Sequence, residues 1–236
     1  MAYQWDWSVF SQDTGAGETY WQWMLSAWGW TLKVSVLAWA VALVAGALIG
    51  VLRTVPGRGL QAFANAWVEL FRNIPVLVQL FLWYHVVPAI VPAMKGVPSF
   101  VLVVLGLGFF TSARVAEQVK AGIQALPRGQ RMAGQALGLT LPQTYRHVIL
   151  PMAFRIIIPP LTSEAMNIIK NSSVAFALSI PELIQFAMQA QEETSRGIEI
   201  YLAVTGLYVV SAFAVNRLMA FIEQRVRVPG FVGSGK

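Results

Sequence analysis

The sequence predicts an all-α integral membrane protein with about five transmembrane helices and its N-terminus outside the cytoplasm. Apolar residues make up 56% of the 236 positions and charged residues only 12%, which is far from the composition of a soluble domain. Long apolar stretches alternate with short basic segments, and most basic segments fall on one side. We therefore expect a single membrane domain over 1–236, with a transmembrane core at 28–222 and a cytoplasmic loop at 114–155.

Five stretches reach or approach the roughly 20 helical residues that cross a 30 Å hydrocarbon layer. They are Trp28–Leu52, Ile74–Pro92, Val97–Ala113, Ile156–Ile180 and Ile200–Ile222. The third stretch is short, and the second contains Pro75, Pro88 and Pro92, so either of them can hide a broken or re-entrant helix. The expected number of spans is five, with a margin of one.

The positions of the basic residues predict the orientation, because short loops rich in Lys and Arg stay in the cytoplasm. Of the 17 basic residues, all but Lys33, Lys95, Lys170 and Arg196 fall on one side. With five spans, this asymmetry places the N-terminus outside and the C-terminus inside. Topology and attraction to anionic lipids explain the net charge of +6, so no nucleic-acid partner is needed.

The segment Gly129–Phe154, GQRMAGQALGLTLPQTYRHVILPMAF, predicts two short helices around a glycine turn. Gly138 lies where the end of a helix needs positive φ. Thr140 and Gln143 have the spacing of a capping box for the second helix, and Pro151 is expected to end that helix. These helix signals also fit a basic hairpin between membrane helices, with the small residues serving only close packing.

This segment resembles the EAA loop of bacterial ABC importer permeases, which reads Glu-Ala-Ala, three residues, Gly, nine residues, Ile, one residue, Leu-Pro. The matching positions are Ala133, Gly138, Val148, Leu150 and Pro151. Met132 replaces the glutamate and Gly134 replaces the second alanine, so a salt bridge from that glutamate is in doubt here. The resemblance implies a type I ABC importer permease whose loop docks on a separate ATPase. The implied coupling residues are Ala133, Gly134, Gly138, Leu139, Thr140, Leu150 and Pro151.

Other segments extend the resemblance over almost the whole chain. Glu69–Gln79 resembles the segment that opens the second core helix in permeases for polar amino acids. Lys170–Ser173, followed by Pro181-Glu182-Leu183, resembles their fourth-span signature. The resemblance is greatest to permeases of glutamate/aspartate importers and implies acidic cargo, with another polar amino acid as the alternative.

The resemblance also implies the partners and the location of the chain. The partners are a second permease subunit, related or identical, two ATP-binding subunits and a periplasmic amino-acid-binding protein. The chain would lie in the bacterial inner membrane and bind no cofactor or metal, with ATP and Mg²⁺ held in the partner ATPase. The tail Gly230–Lys236 spells the opening of a phosphate-binding loop, but no Ser or Thr follows and no buried strand precedes it.

Polar residues inside the fourth span form two overlapping stripes. The first contains Glu164, Asn167 and Asn171, and the second contains Ser163, Asn167, Lys170 and Ser173. A charge at mid-bilayer costs at least about 2.5–3.5 kcal/mol, so this face is expected to line a translocation pathway. Lys170 would meet a substrate carboxylate, while Glu164 would meet the α-ammonium group or balance Lys170. The alternative is interhelical hydrogen bonding, with Glu164 and Lys170 neutralising one another or a neighbour.

Three further residues complete the candidate pathway. Ser172 lies in the fourth-span signature. Arg72 equally suits the permease interface, a lipid phosphate or cargo. His85 fits a buried, hydrogen-bonded histidine better than a proton relay.

Two other classes of protein fit the sequence less well. A self-sufficient secondary transporter typically has repeated halves and more coupling carboxylates, and no internal repeat is visible. An intramembrane enzyme lacks support because the chain has no cysteine, only two histidines, and no GxSxG or HExxH pattern.

Overall fold

A computed structural model describes residues 3–226, most of which are helical; the phosphate-loop-like tail Gly230–Lys236 lies outside this range. The α-helices in this range are α1 (Tyr20–Leu52), α2 (Arg58–Asn73), α3 (Val76–Phe81), α4 (Val87–Ile90), α5 (Ser99–Gln124), α6 (Arg128–Ala136), α7 (Leu141–Thr144), α8 (Leu150–Ser172), α9 (Leu183–Thr194) and α10 (Gly197–Val226). Short 3₁₀ segments occupy Trp7–Ser11, Pro92–Met94 and Ser173–Leu178, and π segments occupy Leu82–Val86 and Tyr145–Ile149.

Within the described residues, four helical stretches are long and apolar enough to cross a membrane. They are Tyr20–Leu52, Ser99–Gln124, Leu141–Leu178 and Gly197–Val226. A fifth candidate is the pair Arg58–Asn73 and Val76–Ile90, which bends by 107° at its break. These spans agree with the predicted count and with the expected broken helix in the second stretch. The break follows from Pro75, because Ile74 before it takes the extended conformation that precedes proline.

The observed boundaries differ from the predicted ones in three places. α5 continues to Gln124 instead of ending at Ala113, because its charged residues share one face while Val115, Ala116 and Val119 are buried on another. α1 starts at Tyr20, well before Trp28. α9 was not expected, since its mixed polar and apolar sequence is too short and polar to register as a span.

Pro151 does not end the second loop helix, contrary to the prediction. It lies in the first turn of α8, directly after the π segment Tyr145–Ile149. The other π segment, Leu82–Val86, likewise precedes Pro88. A proline leaves the carbonyl four residues earlier without a donor and clashes with it. In both places that carbonyl belongs to the π segment, whose wider turn accommodates the proline without breaking the helix.

The described residues form two compact units, each built from three parts of the chain. The first unit draws on residues up to 39, 75–108 and 167–214, and the second on 40–74, 109–166 and 215 onwards. In the first unit, α1, α9 and α10 bury a cluster that includes Met24, Phe186 and Ile200. In the second unit, α1, α2 and α5 bury a cluster that includes Val68 and Ala113. Each unit therefore has a hydrophobic core of its own.

Candidate functional site

The first candidate site is the turn between α6 and α7 with the residues that flank it, which we call the elbow (residues 130–145). α6 ends at Ala136, and Gly138 follows with φ of +79°. The N–H of Leu139 donates to the carbonyl of Gly134 at 3.1 Å, and the N–H of Gly138 donates to the carbonyl of Gln135 at 3.0 Å. This pair of bonds is a Schellman motif, in which a left-handed residue satisfies the last carbonyls of a helix. The predicted glycine turn is confirmed.

The start of α7 carries the predicted capping box. The N–H of Thr140 donates to Oε1 of Gln143 at 2.8 Å, which satisfies a donor that the helix leaves free. One turn later, Thr144 is fully buried against Gly134. A Cβ at position 134 would lie 2.9 Å from Cγ2 of Thr144, so even alanine would displace that side chain. This contact explains why glycine stands where the EAA pattern has its second alanine.

The exposed surface of the elbow includes an apolar group of side chains. Met132 is 68% exposed and Leu137 is 81% exposed, and Ala133 is exposed beside them. Met132 stands at the glutamate position of the EAA pattern, so this chain offers a flexible thioether there instead of a carboxylate. Sequence reasoning selected neither Met132 nor Leu137 as a contact residue. The sequence feature that could have indicated such a contact is the presence of two apolar residues in a polar loop.

The elbow is tied to the end of α1. The hydroxyl of Tyr145, which is buried, donates to the carbonyl of Thr54 at 2.8 Å. Thr54 follows directly after α1, whereas Leu150 and Pro151 continue the chain from the elbow into α8. The elbow is therefore connected to two long helices, to α1 through this hydrogen bond and to α8 through the chain itself.

A carboxylate on α5 holds two arginines. Oε1 of Glu117 lies 3.0 Å from Nη1 of Arg53 and 3.0 Å from Nη1 of Arg72. The side chain of Arg53 is 8% exposed and that of Arg72 is 55% exposed. A buried charge without a partner destabilises the fold, so Glu117 stabilises Arg53 while Arg72 stays accessible.

Glu164, at the start of the predicted stripe, pairs with Arg114. Its Oε2 lies 3.8 Å from Nη1 of Arg114, and this buried oxygen accepts no hydrogen bond from the described residues. The expected partner of Glu164 was either Lys170 or a neighbouring residue. The structure pairs Glu164 with a neighbouring residue, Arg114. Six residues along α8 put Lys170 about 120° away around the helix. The carboxylate of Glu164 keeps the capacity to accept a hydrogen bond from an ammonium group.

These charged residues line a polar cavity of about 520 Å³. Its lining consists of Arg72, Arg114, Glu117, Gln118 and Glu164. The volume suits a small molecule, and both signs of charge are present. Sequence reasoning selected Arg72 and Glu164 but missed Arg114 and Glu117. The sequence feature that could have revealed Arg114 and Glu117 is a pair of opposite charges, three residues apart, inside an otherwise apolar helix.

The remaining residues of the α8 stripe differ in availability. The hydroxyls of Ser172 and Ser173 donate to the carbonyls of Ile169 and Lys170, each at 2.7 Å, so they are satisfied within their own helix. Asn167 and Asn171 are half-buried. Lys170 is exposed, and its ammonium group makes no ion pair with another described residue. Lys170 is therefore the cation of the stripe that is free to meet an anion.

His85 is exposed on its π segment, so the expectation of a buried, hydrogen-bonded histidine is wrong for the single chain. Its ring centroid lies 6.0 Å from that of Phe81 and 4.7 Å from that of Tyr84. Phe81, Leu82 and Tyr84 are exposed as well, so the chain itself leaves this helix face uncovered.

Glu182 is a buried carboxylate that sequence reasoning noted only as part of a signature. Its Oε1 accepts hydrogen bonds from the N–H groups of Ile184 and Gln185, each at 2.9 Å, which caps α9. Its Oε2 accepts a hydrogen bond from the hydroxyl of Tyr208 at 3.0 Å. Burial disfavours the charged form and raises the pKa of Glu182 to about 7, although the three hydrogen bonds oppose the shift.

Metal binding finds no support in the described part of the chain. Between residues 3 and 226, no group of three or more His, Asp or Glu side chains is arranged to hold a metal ion.

Comparisons with known proteins point to one family. A family model described as binding-protein-dependent transport system inner membrane component matches residues 42–228. The glutamate/aspartate import permease protein GltJ of Escherichia coli K12 is 41% identical over 99% of both chains. The probable glutamine ABC transporter permease protein GlnM of Bacillus subtilis 168 is 33% identical over 83% of this chain and 89% of that protein.

A solved structure gives the same picture. The crystal structure of an amino acid ABC transporter with histidines superposes with a TM-score of 0.76 and 30% identity, covering 87% of this chain and 95% of that one. The family model, the relatives and the shared architecture agree.

Proposed function

Because the chain belongs to the family of inner-membrane components of binding-protein-dependent transport systems, we propose that it carries an acidic L-amino acid into the cytoplasm. It is a multi-pass, non-catalytic permease subunit of an amino-acid ABC importer, in which separate subunits hydrolyse ATP. The acidic cargo is supported by the 41% identity to a glutamate/aspartate import permease. Another polar amino acid is the alternative, since a probable glutamine permease is 33% identical.

The proposed assembly places this chain in the inner membrane of a bacterium. A second permease subunit, related or identical, would complete the translocation path. Two ATP-binding subunits holding ATP and Mg²⁺ would bind on the cytoplasmic side, and a periplasmic binding protein would deliver the amino acid. ATP and cargo act by binding the inward-facing and outward-facing states with different affinity.

The elbow is the proposed contact with the ATPase. Its support is the combination of a rigid Schellman turn with the exposed apolar surface of Met132 and Leu137. The hydrogen bond from Tyr145 to Thr54 would pass movement of the elbow to α1. Closure of the ATP-binding subunits would in this way reach the transmembrane helices.

The observation that carries the cargo proposal is Lys170. It is an exposed cation in a predicted span with no ion pair among the described residues, whereas Glu164 is balanced by Arg114. A carboxylate of the cargo would supply the missing negative charge. Lys170→Met should therefore reduce uptake of radiolabelled glutamate and aspartate about 10- to 100-fold, in line with about 1.5–3 kcal/mol for a charged hydrogen bond. Assembly with the ATPase should remain intact.

Two matched variants make this experiment decisive. Lys95→Met removes an exposed lysine outside the stripe and should leave uptake at the wild-type level. Glu164→Gln combined with Lys170→Met should stay as inactive as Lys170→Met alone, because Glu164 does not depend on Lys170 for its charge balance. Full uptake by the double variant would show that Lys170 does not contact the cargo. Competition by unlabelled glutamine against glutamate tests the alternative cargo.

A further inference from the structure

A second polar cavity, separate from the one beside Glu164, lies between the elbow and the ends of α1, α2 and α5. Its volume is about 560 Å³. Three basic residues, Arg53, Lys120 and Arg131, line it together with several amides and no Asp or Glu. Glu117 balances Arg53, but Lys120 and Arg131 form no ion pair within residues 3–226. The cavity therefore holds two positive charges without a countercharge, which favours an anionic ligand.

A buried acceptor in the same lining also lacks a partner. Oε1 of Gln130 is buried and accepts no hydrogen bond within the described structure. Two other amides of the lining are engaged: Asn65 accepts from Nε of Arg53 at 2.8 Å, and Gln61 donates to the carbonyl of Val55 at 2.9 Å. A buried acceptor left unpaired is unfavourable, so the fitting ligand carries a hydroxyl donor as well as an anionic group.

We propose that this cavity binds the headgroup of an anionic phospholipid that carries free hydroxyls, such as phosphatidylglycerol. The phosphodiester would lie between Lys120 and Arg131, and a headgroup hydroxyl would donate to Gln130. Basic pockets between membrane helices are suited to anionic headgroups. Free phosphate has the same anionic and hydroxyl groups, so competition with inorganic phosphate is needed to separate the two sources.

The bound lipid would link the elbow to the transmembrane helices. Arg131 and Gln130 belong to α6, whereas Lys120 belongs to α5. One headgroup contacting all three would therefore restrain α6 against α5 beside the bond from Tyr145 to Thr54.

The test is lipid binding to the delipidated complex of the permease with its ATP-binding subunits, followed by native mass spectrometry. Phosphatidylglycerol should bind more tightly than phosphatidylcholine. Lys120→Gln combined with Arg131→Gln should weaken phosphatidylglycerol binding about 30-fold, which is about 1 kcal/mol for each basic residue converted to a dissociation constant. Arg146→Gln removes an exposed cation from the π segment outside the cavity and should leave lipid binding unchanged.

Two further arms separate the sources of the anion and guard against misfolding. Lys120→Arg combined with Arg131→Lys keeps both charges and should retain phosphatidylglycerol. Gln130→Ala should weaken phosphatidylglycerol but leave phosphatidylmethanol, whose methyl phosphodiester has no hydroxyl, unaffected.

Three results would overturn the proposal. Equal binding of phosphatidylglycerol and phosphatidylcholine would show that the anionic headgroup does not determine binding. Displacement of the lipid by millimolar inorganic phosphate would show that the cavity binds free phosphate. Loss of ATPase copurification with unchanged lipid retention in the double Gln variant would assign Lys120 and Arg131 to the ATPase contact.

Discussion

At the level of single residues, Gly138 decides how the elbow turns. Its φ of +79° lies in the left-handed region, and nothing lies within 4 Å of where its Cβ would be. A side chain there would meet no neighbour, so the effect of a substitution is confined to backbone strain. For a β-branched residue this strain is about 1–2 kcal/mol.

Gly138→Val should weaken the docking of the ATPase, because the strain opposes the Schellman turn that presents Leu137. The measurement is copurification of the ATP-binding subunits, together with amino-acid uptake, at matched membrane levels of the permease. Gly129→Val is the control, since Gly129 lies in α6 with open space around it and ordinary backbone angles. Normal copurification and uptake for Gly138→Val would exclude the elbow from coupling.

Glu182 gives the folded protein a pH dependence. Its folded pKa of about 7 lies above the ordinary value of 4.5, so between these values the folded state binds more protons than the unfolded state. The contribution of Glu182 to the free energy of unfolding is therefore largest below about pH 4.5 and declines as the pH rises through about 7. The total change in this free energy is roughly 3 kcal/mol.

Glu182→Gln should remove this decline, because the amide keeps acceptor and donor groups in place but does not ionise. We expect the wild-type melting temperature in detergent to fall by several degrees between pH 5 and 8, with a much flatter curve for the variant. Glu192→Gln, an exposed carboxylate on the same helix, serves as the control. Parallel curves for wild type and Glu182→Gln would contradict the assigned titration.

At the level of elements, the packing of α1 on α5 depends on two glycines one turn apart. A Cβ on Gly46 would lie 2.5 Å from Cβ of Val115, and one on Gly50 would lie 2.5 Å from Cβ of Val119. These distances are shorter than side chains tolerate, so the helix backbones approach more closely than alanine allows. Small residues four apart are a common way for membrane helices to reach such contact.

Gly46→Ala should destabilise the protein by about 1–3 kcal/mol, because the new methyl group overpacks the contact between α1 and α5. The expected result is a lower melting temperature and less protein in the membrane. Gly206→Ala on α10 is the matched control, since its Cβ would meet nothing within 4 Å. Equal melting temperatures for the two variants would mean that α1 and α5 move apart without loss of stability.

At the scale of the whole molecule, the distribution of charge follows the division into units. The described basic residues predicted to face the cytoplasm all fall within the second unit, from Arg53 and Arg58 at the end of α1 to Arg225 at the end of α10. The exceptions identified in the sequence, Lys33, Lys95, Lys170 and Arg196, fall within the first unit.

Cysteine labelling can measure the orientation, because the wild-type chain contains no cysteine. Gly17→Cys, before α1, should react with a membrane-impermeant maleimide in intact spheroplasts. Gly129→Cys, at the start of α6, should react only in inside-out vesicles or after permeabilisation. Both positions have open space, so neither substitution perturbs packing; the cysteine at position 17 adds only local backbone strain, because Gly17 has φ of +85°. The opposite labelling pattern would invert the topology.

The sequence by itself determined the membrane class, the number of spans and the elbow. These features rest on local physics: apolar length sets a span, proline sets the break at Pro75, and glycine sets the turn at Gly138. Such signals act within a few residues of the chain and remain visible without the fold.

Only the tertiary structure decided the charge partners and the helix boundaries that depend on packing. Glu164 could have paired with several cations, and its pairing with Arg114 is set by α5 packing beside α8. The extension of α5 beyond Ala113 and the continuation of α8 through Pro151 likewise depend on burial and on a π turn. The buried cap made by Glu182 also needs Tyr208 from a distant helix. Contacts between residues far apart in the chain leave no periodic signal in the sequence, so only the folded arrangement assigns them.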